Sequence, residues 1–264
     1  MADASETALA GAQSLDDQHE AAAERADLAA LHAALAALAA GTHRQASSLE
    51  LDARIDQLHG AAATGDLAAL CAALAAGADV DARRTDSYYT RTPLARVVDP
   101  QKSISDERRT VCVRALLLAG ASPSAPIESY EMGGWMPLHD AAFLGLYTVC
   151  RLLLDAGADV DAGADVNVQS NRSVNDTPLH YAANREHQKV IALFLSRGAV
   201  DGPHVDQLER SSYLKKIRAA GGFSKYERQH RAMLVASYTP KFSHLLPPEL
   251  VSVVISFWAH VGFY

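Results

Sequence analysis

Between residues 58 and 199 the apolar positions return in blocks, and each block has the same internal order. A Leu leads into small residues, then a run of Leu and Val at three-to-four spacing, then Gly-Ala. The first block runs from Leu58-His59-Gly60-Ala61-Ala62 to Gly77-Ala78-Asp79-Val80-Asp81, and the second from Thr92-Pro93-Leu94-Ala95 to Leu116-Leu117-Leu118-Ala119-Gly120-Ala121. The third runs from Pro137-Leu138-His139-Asp140-Ala141-Ala142 to Leu152-Leu153-Leu154-Asp155-Ala156-Gly157-Ala158-Asp159-Val160. The fourth runs from Thr177-Pro178-Leu179-His180-Tyr181-Ala182-Ala183 to Phe194-Leu195-Ser196-Arg197-Gly198-Ala199. Three-to-four spacing belongs to helices that bury one face. Thr92 and Thr177 suit a helix cap, and Pro93 and Pro178 suit the first helical position, where a missing N–H costs nothing. Asp56 is the corresponding cap candidate of the first block, and Met136 makes the start of the third a weak one. Gly77, Gly120, Gly157 and Gly198 suit the left-handed residue that closes a helix. The alanine pairs let neighbouring helices approach closely.

At these residues the chain resembles the ankyrin family, whose repeat of about 33 residues carries Thr-Pro-Leu-His-x-Ala. From the motif Leu to the closing Gly there are 19 residues in blocks one, three and four, and 26 in block two. The extra seven fall within Asp99 to Arg109, between the two helices of that repeat. The resemblance implies an all-α fold: a solenoid of four helix-pair repeats, at about 56–91, 92–135, 136–176 and 177–203, with helical caps at both ends. It also implies that His139 and His180 make local hydrogen bonds, so neither they nor Asp140 and Asp176 form a metal or catalytic set.

The connections between repeats are all longer than the family pattern. From Gly to the next Pro there are 16, 17 and 21 residues, and the third connection duplicates Gly-Ala-Asp-Val at 157–160 and 163–166. Ankyrin proteins bind through these fingers and their first helices. The fingers here hold Arg83, Arg84, Tyr88, Tyr89, Arg91, Tyr130, Trp135, Asn171 and Arg172. Tyr, Trp and Arg most often dominate interface energy, although the same aromatics also serve to pack a finger on its neighbour. On the first helices Phe143, Leu144, Tyr181, Asn184 and Arg185 face the same side.

Both ends depart from the repeat. Residues 1–55 are Ala-rich, and Asp16 to Ala40 has helix composition with Leu28, Leu31, Leu35 and Leu38 at three-four spacing. That helix caps the first repeat or serves a partner. In residues 204–264, helices are expected over Val205 to Ala220 and over Ser224 to Tyr238, before Pro240. Pro247-Pro248 then opens an apolar helix that must be buried, against this chain or another. Residues 245–258 resemble the start of an F-box through Leu246, Pro247, Glu249, Leu250, Ile255 and Phe257, beside Trp258; a SOCS-box-like tail is a similar alternative. Either resemblance implies docking to an adaptor of a cullin-type ubiquitin ligase. The other reading is a hydrophobic cap over the fourth repeat.

Composition narrows the function. The net charge is −7, a poor match to phosphate backbones. Between Leu208 and Arg231, however, seven Lys and Arg face two Glu, a solvated helix face or a surface for an acidic partner. Cys71, Cys112 and Cys150 have no paired spacing and read as buried residues in a reducing compartment. Asp3 and Glu6 stand where a secretory leader is basic, and Leu28 to Gly41 is too short to span a bilayer. The sequence has no nucleophile elbow, phosphate loop or zinc spacing. The expectation is a monomeric, non-enzymatic protein of the cytoplasm or nucleus without cofactor, metal, nucleic acid or membrane. It binds other proteins, as a ubiquitin-ligase receptor or as a plain scaffold or inhibitor.

Overall fold

Two short helices form in each of the four blocks in a computed structural model, which describes residues 48–86, 89–129, 135–156, 177–199, 211–242, 247, 250, 251, 253 and 254. The elements fall in two compact units that divide after Ser129. The first unit holds α1 (Ser48–Thr64), α2 (Leu67–Ala75), β1 (Arg84–Asp86), β2 (Tyr89–Arg91), α3 (Pro93–Val97), α4 (Asp106–Leu118) and β3 (Glu128–Ser129). The second holds α5 (Pro137–Leu144), α6 (Tyr147–Asp155), α7 (Pro178–Asn184), α8 (Gln188–Ser196), α9 (Ser212–Ala219) and α10 (Phe223–Phe242). The N-terminal Ala-rich helix expected over Asp16 to Ala40 and the duplicated third finger lie outside the described residues.

In the first unit α1 packs on α2 and α3, and α4 packs on α2 and α3. Leu58, Leu70, Leu74, Leu94 and Leu116 are fully or almost fully buried where these helices meet, with Ala61, Ala62 and Ala95 between them. The second unit repeats the arrangement: α5 packs on α6 and α7, and α8 packs on α6 and α7, around Leu138, Leu153, Leu179, Ile191 and Phe194. Each such Leu or Ile contributes about 1.5–3 kcal/mol by leaving water. All three cysteines are buried thiols outside any disulfide, and burial pushes the Cys150 thiol well above its usual range.

Helix starts follow the sequence in part. The Thr92 hydroxyl accepts the Ala95 N–H at 3.3 Å, and Asp66 and Ser105 cap α2 and α4 in the same way. Asp56 is not a cap: α1 begins at Ser48 and runs straight through it. With no proline in this block, nothing breaks the helix at the repeat boundary placed at 56. Gly77, Gly120 and Gly198 have positive φ as expected, and Gly221 and Gly222 end α9. The described part of that penultimate helix starts at Ser212, capped by Ser211, whereas Val205 to Arg210 lie outside the described residues. The last long helix passes Pro240 and ends at Phe242.

Two features add to an all-α reading. The first finger folds into a hairpin, with Arg84 opposite Arg91, Thr85 opposite Thr90 and Asp86 opposite Tyr89, and β3 adds a third strand beside Tyr89 and Thr90. The seven-residue insertion ends α3 at Val97 and turns the chain into an irregular loop. Arg109, 3% exposed, braces it: its guanidinium donates to the carbonyls of Val97, the last residue of α3, at 2.6 Å, and of the loop residues Lys102 at 2.5 Å, and Asp99 and Ile104 at 3.2 Å. One buried cation thus pins the whole loop: it supplements the backbone bonds that the carbonyls of Asp99 and Lys102 already accept and adds donors for those of Val97 and Ile104.

Gly145 ends α5 with φ 73°, and a Cβ there would lie 2.5 Å from His187 Nδ1. Gly198 has φ 91° and open space around it. Gly198→Ala is therefore expected to cost only the backbone strain, about 1 kcal/mol. Gly145→Ala must also displace the His187 ring, whose Nε2 bonds the Phe143 carbonyl at 3.1 Å, for a total of about 2–3 kcal/mol. Urea unfolding followed by circular dichroism measures both, and equal midpoints would refute the steric argument.

Candidate protein-binding surface

The finger hairpin of the first unit carries four of the arginine and tyrosine candidates, and they divide by exposure. Arg83 and Arg84 are exposed and ion-paired, Arg83 with Glu128 and Arg84 with Asp56. Arg91 is only 6% exposed. Its guanidinium lies 4.3 Å from the Tyr89 ring centre and reaches Asp86 at 3.4 Å and Asp99 at 3.6 Å. Arg91 therefore ties the two strands of the hairpin together and to Asp99 just after α3, with Tyr89 half-buried over it.

Beneath the hairpin lies a cluster that sequence patterning did not single out. Asp86 also binds Arg96 at 2.7 Å, and Arg96 Nε donates to His59 Nδ1 at 3.1 Å. With Nδ1 accepting, His59 Nε2 carries the proton and donates it to the Ala82 carbonyl at 2.8 Å. Burial, opposed by the Ala82 hydrogen bond and reinforced by the nearby Arg96, pulls the His59 pKa below its usual 6.5. The sequence signal was the histidine of the Leu-His position in a block with no Thr-Pro for it to serve.

In the second unit the candidates gather into one aromatic ladder. Trp135 enters just before α5, 9% exposed, and its indole N–H donates to Asp140 at 3.0 Å. Tyr181 on α7 meets Trp135 edge-on with ring centres 4.9 Å apart, and meets Phe143 on α5 at 6.3 Å. The Arg185 guanidinium lies 4.0 Å over the Phe143 ring. Contacts of these kinds each add about 0.5–1.5 kcal/mol beyond burial. Phe143 and Tyr181 are half-buried and Arg185 is exposed, so the ladder shows one edge to solvent while Trp135 supports it from behind. His139 and His180 sit at its base, 0% and 2% exposed. Their Nδ1 atoms accept the N–H groups of Met136 at 3.1 Å and Thr177 at 3.2 Å, the local role the resemblance implies.

Tyr88, Tyr130, Asn171 and Arg172 lie outside the described residues. So do Leu246, Glu249, Ile255, Phe257 and Trp258 of the C-terminal stretch. There, the N–H groups of Leu250 and Val251 bond the Pro247 carbonyl at 3.0 and 3.1 Å, the first turn of a helix. Val251 is 2% exposed, whereas Leu250 and Val253 are 49% and 62% exposed. Among the described residues no group of His, Cys, Asp and Glu could hold a metal ion, and no helix is long and apolar enough to cross a membrane.

Residues 133–171 and 175–206 match the family model of the ankyrin repeat. Among curated proteins, the chain is 41% identical over 75 residues to the Drosophila melanogaster "Ankyrin repeat and KH domain-containing protein mask", covering 28% of this chain and 2% of that protein. It is 33% identical over 94 residues to the Mus musculus "B-cell lymphoma 3 protein homolog", covering 36% of this chain and 19% of that protein. The matches thus span a small part of each relative. They support an ankyrin-repeat protein, and ankyrin repeats indicate a module for protein–protein interaction.

The His59 cluster gives this surface a pH dependence. Because the folded pKa lies below 6.5, the unfolded chain takes up this proton first as the pH falls. The stabilisation is complete above about pH 6.5 and is lost between there and the lowered folded pKa. His59→Gln is expected to remove that part of the acid sensitivity. Thermal melts of both proteins from pH 7.5 to 5 measure the difference, and parallel pH profiles would show that His59 stays uncoupled from folding.

Proposed function

We propose that this chain is a four-repeat ankyrin module that holds a partner protein on its fingers and first helices. The observation that carries this reading is the ladder of Phe143, Tyr181 and Arg185, backed by Trp135. Side chains of these types, half-covered and held in place by neighbours, lose little conformational freedom on binding, which is what an interface anchor requires. In the first unit, Arg83, Arg84 and Tyr89 are the corresponding candidates on the finger. The module binds without chemistry of its own and works in the cytoplasm or nucleus.

In the finer form of the proposal, the protein is the substrate-recognition subunit of a cullin-type ubiquitin ligase, and residues 245–258 dock its adaptor. The exposed Leu250 and Val253, on a turn begun at Pro247, favour a helix that awaits a partner. The buried Val251 favours the other reading, a scaffold or inhibitor whose last helix only caps the fold.

Two sets of variants test these readings by affinity purification of the full chain with mass spectrometry. Phe143→Ala with Tyr181→Ala is expected to deplete the specific partner on the order of tenfold or more. Retention of every partner at wild-type yield, with the helical melt unchanged, would remove the ladder from the binding surface. Leu250→Asp with Val253→Asp is expected to lose a cullin adaptor while keeping the ladder's partner. If wild type brings no adaptor down, the scaffold reading replaces the receptor.

A further inference from the structure

The charges around the ladder are unevenly satisfied. Within the described residues of the two repeats that build it, 135–156 and 177–199, the carboxylates are Asp140, Asp155 and Glu186. All three are engaged: Asp140 accepts the Trp135 indole N–H at 3.0 Å, and Asp155 pairs with Arg197 at 2.5 Å. Glu186 Oε1 accepts the Ser212 N–H at 2.7 Å, and its other oxygen lies 3.4 Å from the hydroxyls of Ser211 and Ser212. Glu186 is also the described non-glycine residue with positive φ, 56°. That backbone turn and the tie to α9 commit its carboxylate to the helix start, so Glu186 does not serve its neighbour Arg185.

Arg185 is thereby left as an exposed guanidinium that rests on an aromatic face and pairs with no carboxylate among the described residues. The exposed arginines of the first finger, by contrast, each have an acidic partner within the chain. A ring face holds a guanidinium in place without using its in-plane donors, so the N–H fork remains available for bidentate pairing. Beside it, the half-buried edges of Phe143 and Tyr181 offer an apolar contact.

We infer that the ladder takes an acidic peptide segment of the partner, in which an Asp or Glu pairs with Arg185 and an adjacent apolar side chain packs on Phe143 and Tyr181. This rests on the ladder being the partner-binding surface, and it adds the chemistry of what binds there. A lysine-rich or purely apolar segment would leave the guanidinium unpaired on desolvation, which opposes its binding.

The test is a random peptide library displayed on phage, panned against the full chain, with selected peptides then titrated by fluorescence anisotropy. The expected selection places Asp or Glu within two residues of Leu, Ile, Met or Phe, and the affinity falls as salt rises. Arg185→Gln is expected to weaken a selected peptide on the order of tenfold. Arg185→Glu should recover binding to the same peptide with its acid replaced by lysine. Circular dichroism checks that each variant keeps its helices, as a change at this exposed site should. Selected peptides without acids, an Arg185→Gln affinity equal to wild type, or no enrichment at all would overturn the acidic-partner inference. If Phe143→Ala abolishes binding while Arg185→Gln does not, the ladder remains the binding surface and only the acidic chemistry falls. If neither variant changes binding, the ladder reading itself falls.

Discussion

The second unit depends on an imidazole nitrogen that accepts the N–H at the entrance of each first helix. Met136 donates to His139 and Thr177 donates to His180, in both cases to Nδ1. Without this acceptor, the N–H would be part-buried at Met136 and buried at Thr177, unpaired where the chain turns from extended to helical, at a cost of about 1–3 kcal/mol. The bond also fixes each ring as the neutral tautomer with its proton on Nε2 and sets the ring plane. At His139 that plane lies beside Trp135, with ring centres 5.3 Å apart, and beside Tyr181 at 6.1 Å. A single hydrogen bond therefore both starts the helix and positions the base of the aromatic ladder. The first unit solves the same problem differently: Thr92 caps α3 directly, and His59, in a helix that needs no start at that point, turns its Nδ1 to Arg96.

A second equivalence lies seven positions after the motif Leu of blocks one, three and four, where the chain turns from first to second helix. Gly65 and Gly145 occupy it in the first and third blocks with φ 64° and 73°, and Glu186 occupies it in the fourth with φ 56°. A side chain in this conformation costs about 1–2 kcal/mol. The carboxylate offsets that cost by accepting from the N-terminus of α9, where an anion also meets the positive end of the helix dipole. The departure from glycine falls where the repeat region is tied to the C-terminal helices, and the tie is what makes it tolerable.

These particulars explain what could be read from the sequence. The motif leucines, the alanine pairs and the closing glycines were legible because burial at helical spacing and a left-handed φ are demands met by one residue at a time. Phe143, Tyr181 and Arg185 were legible as neighbours for the same reason: their positions in the repeat fix the helix face. The continuous α1 through Asp56 was not, because a cap is recognised by a break that this block lacks. Nor was the Arg109 strut, which depends on four carbonyls brought together by a loop with no repeat counterpart. Trp135 and Arg91 show the limit most clearly. Their positions in the connections between repeats placed both on fingers, but Asp140, Asp86 and Asp99 draw them inward, and whether a finger side chain faces out is decided by such partners rather than by its own type.

That distinction bears on where binding energy can come from. Arg83 and Arg84 are exposed, yet each already has a carboxylate within the chain. A partner that used them would have to match an existing ion pair while desolvating its members, for a net gain near the 0–1 kcal/mol typical of surface pairs. Arg185 has no such pair to give up among the described residues, and its ring support removes part of the entropy cost of fixing a long side chain. An exposed guanidinium is thus worth different amounts on the two surfaces. Binding energy is gained most readily where a cation is held still by a ring and left without its anion, as Arg185 is among the described residues.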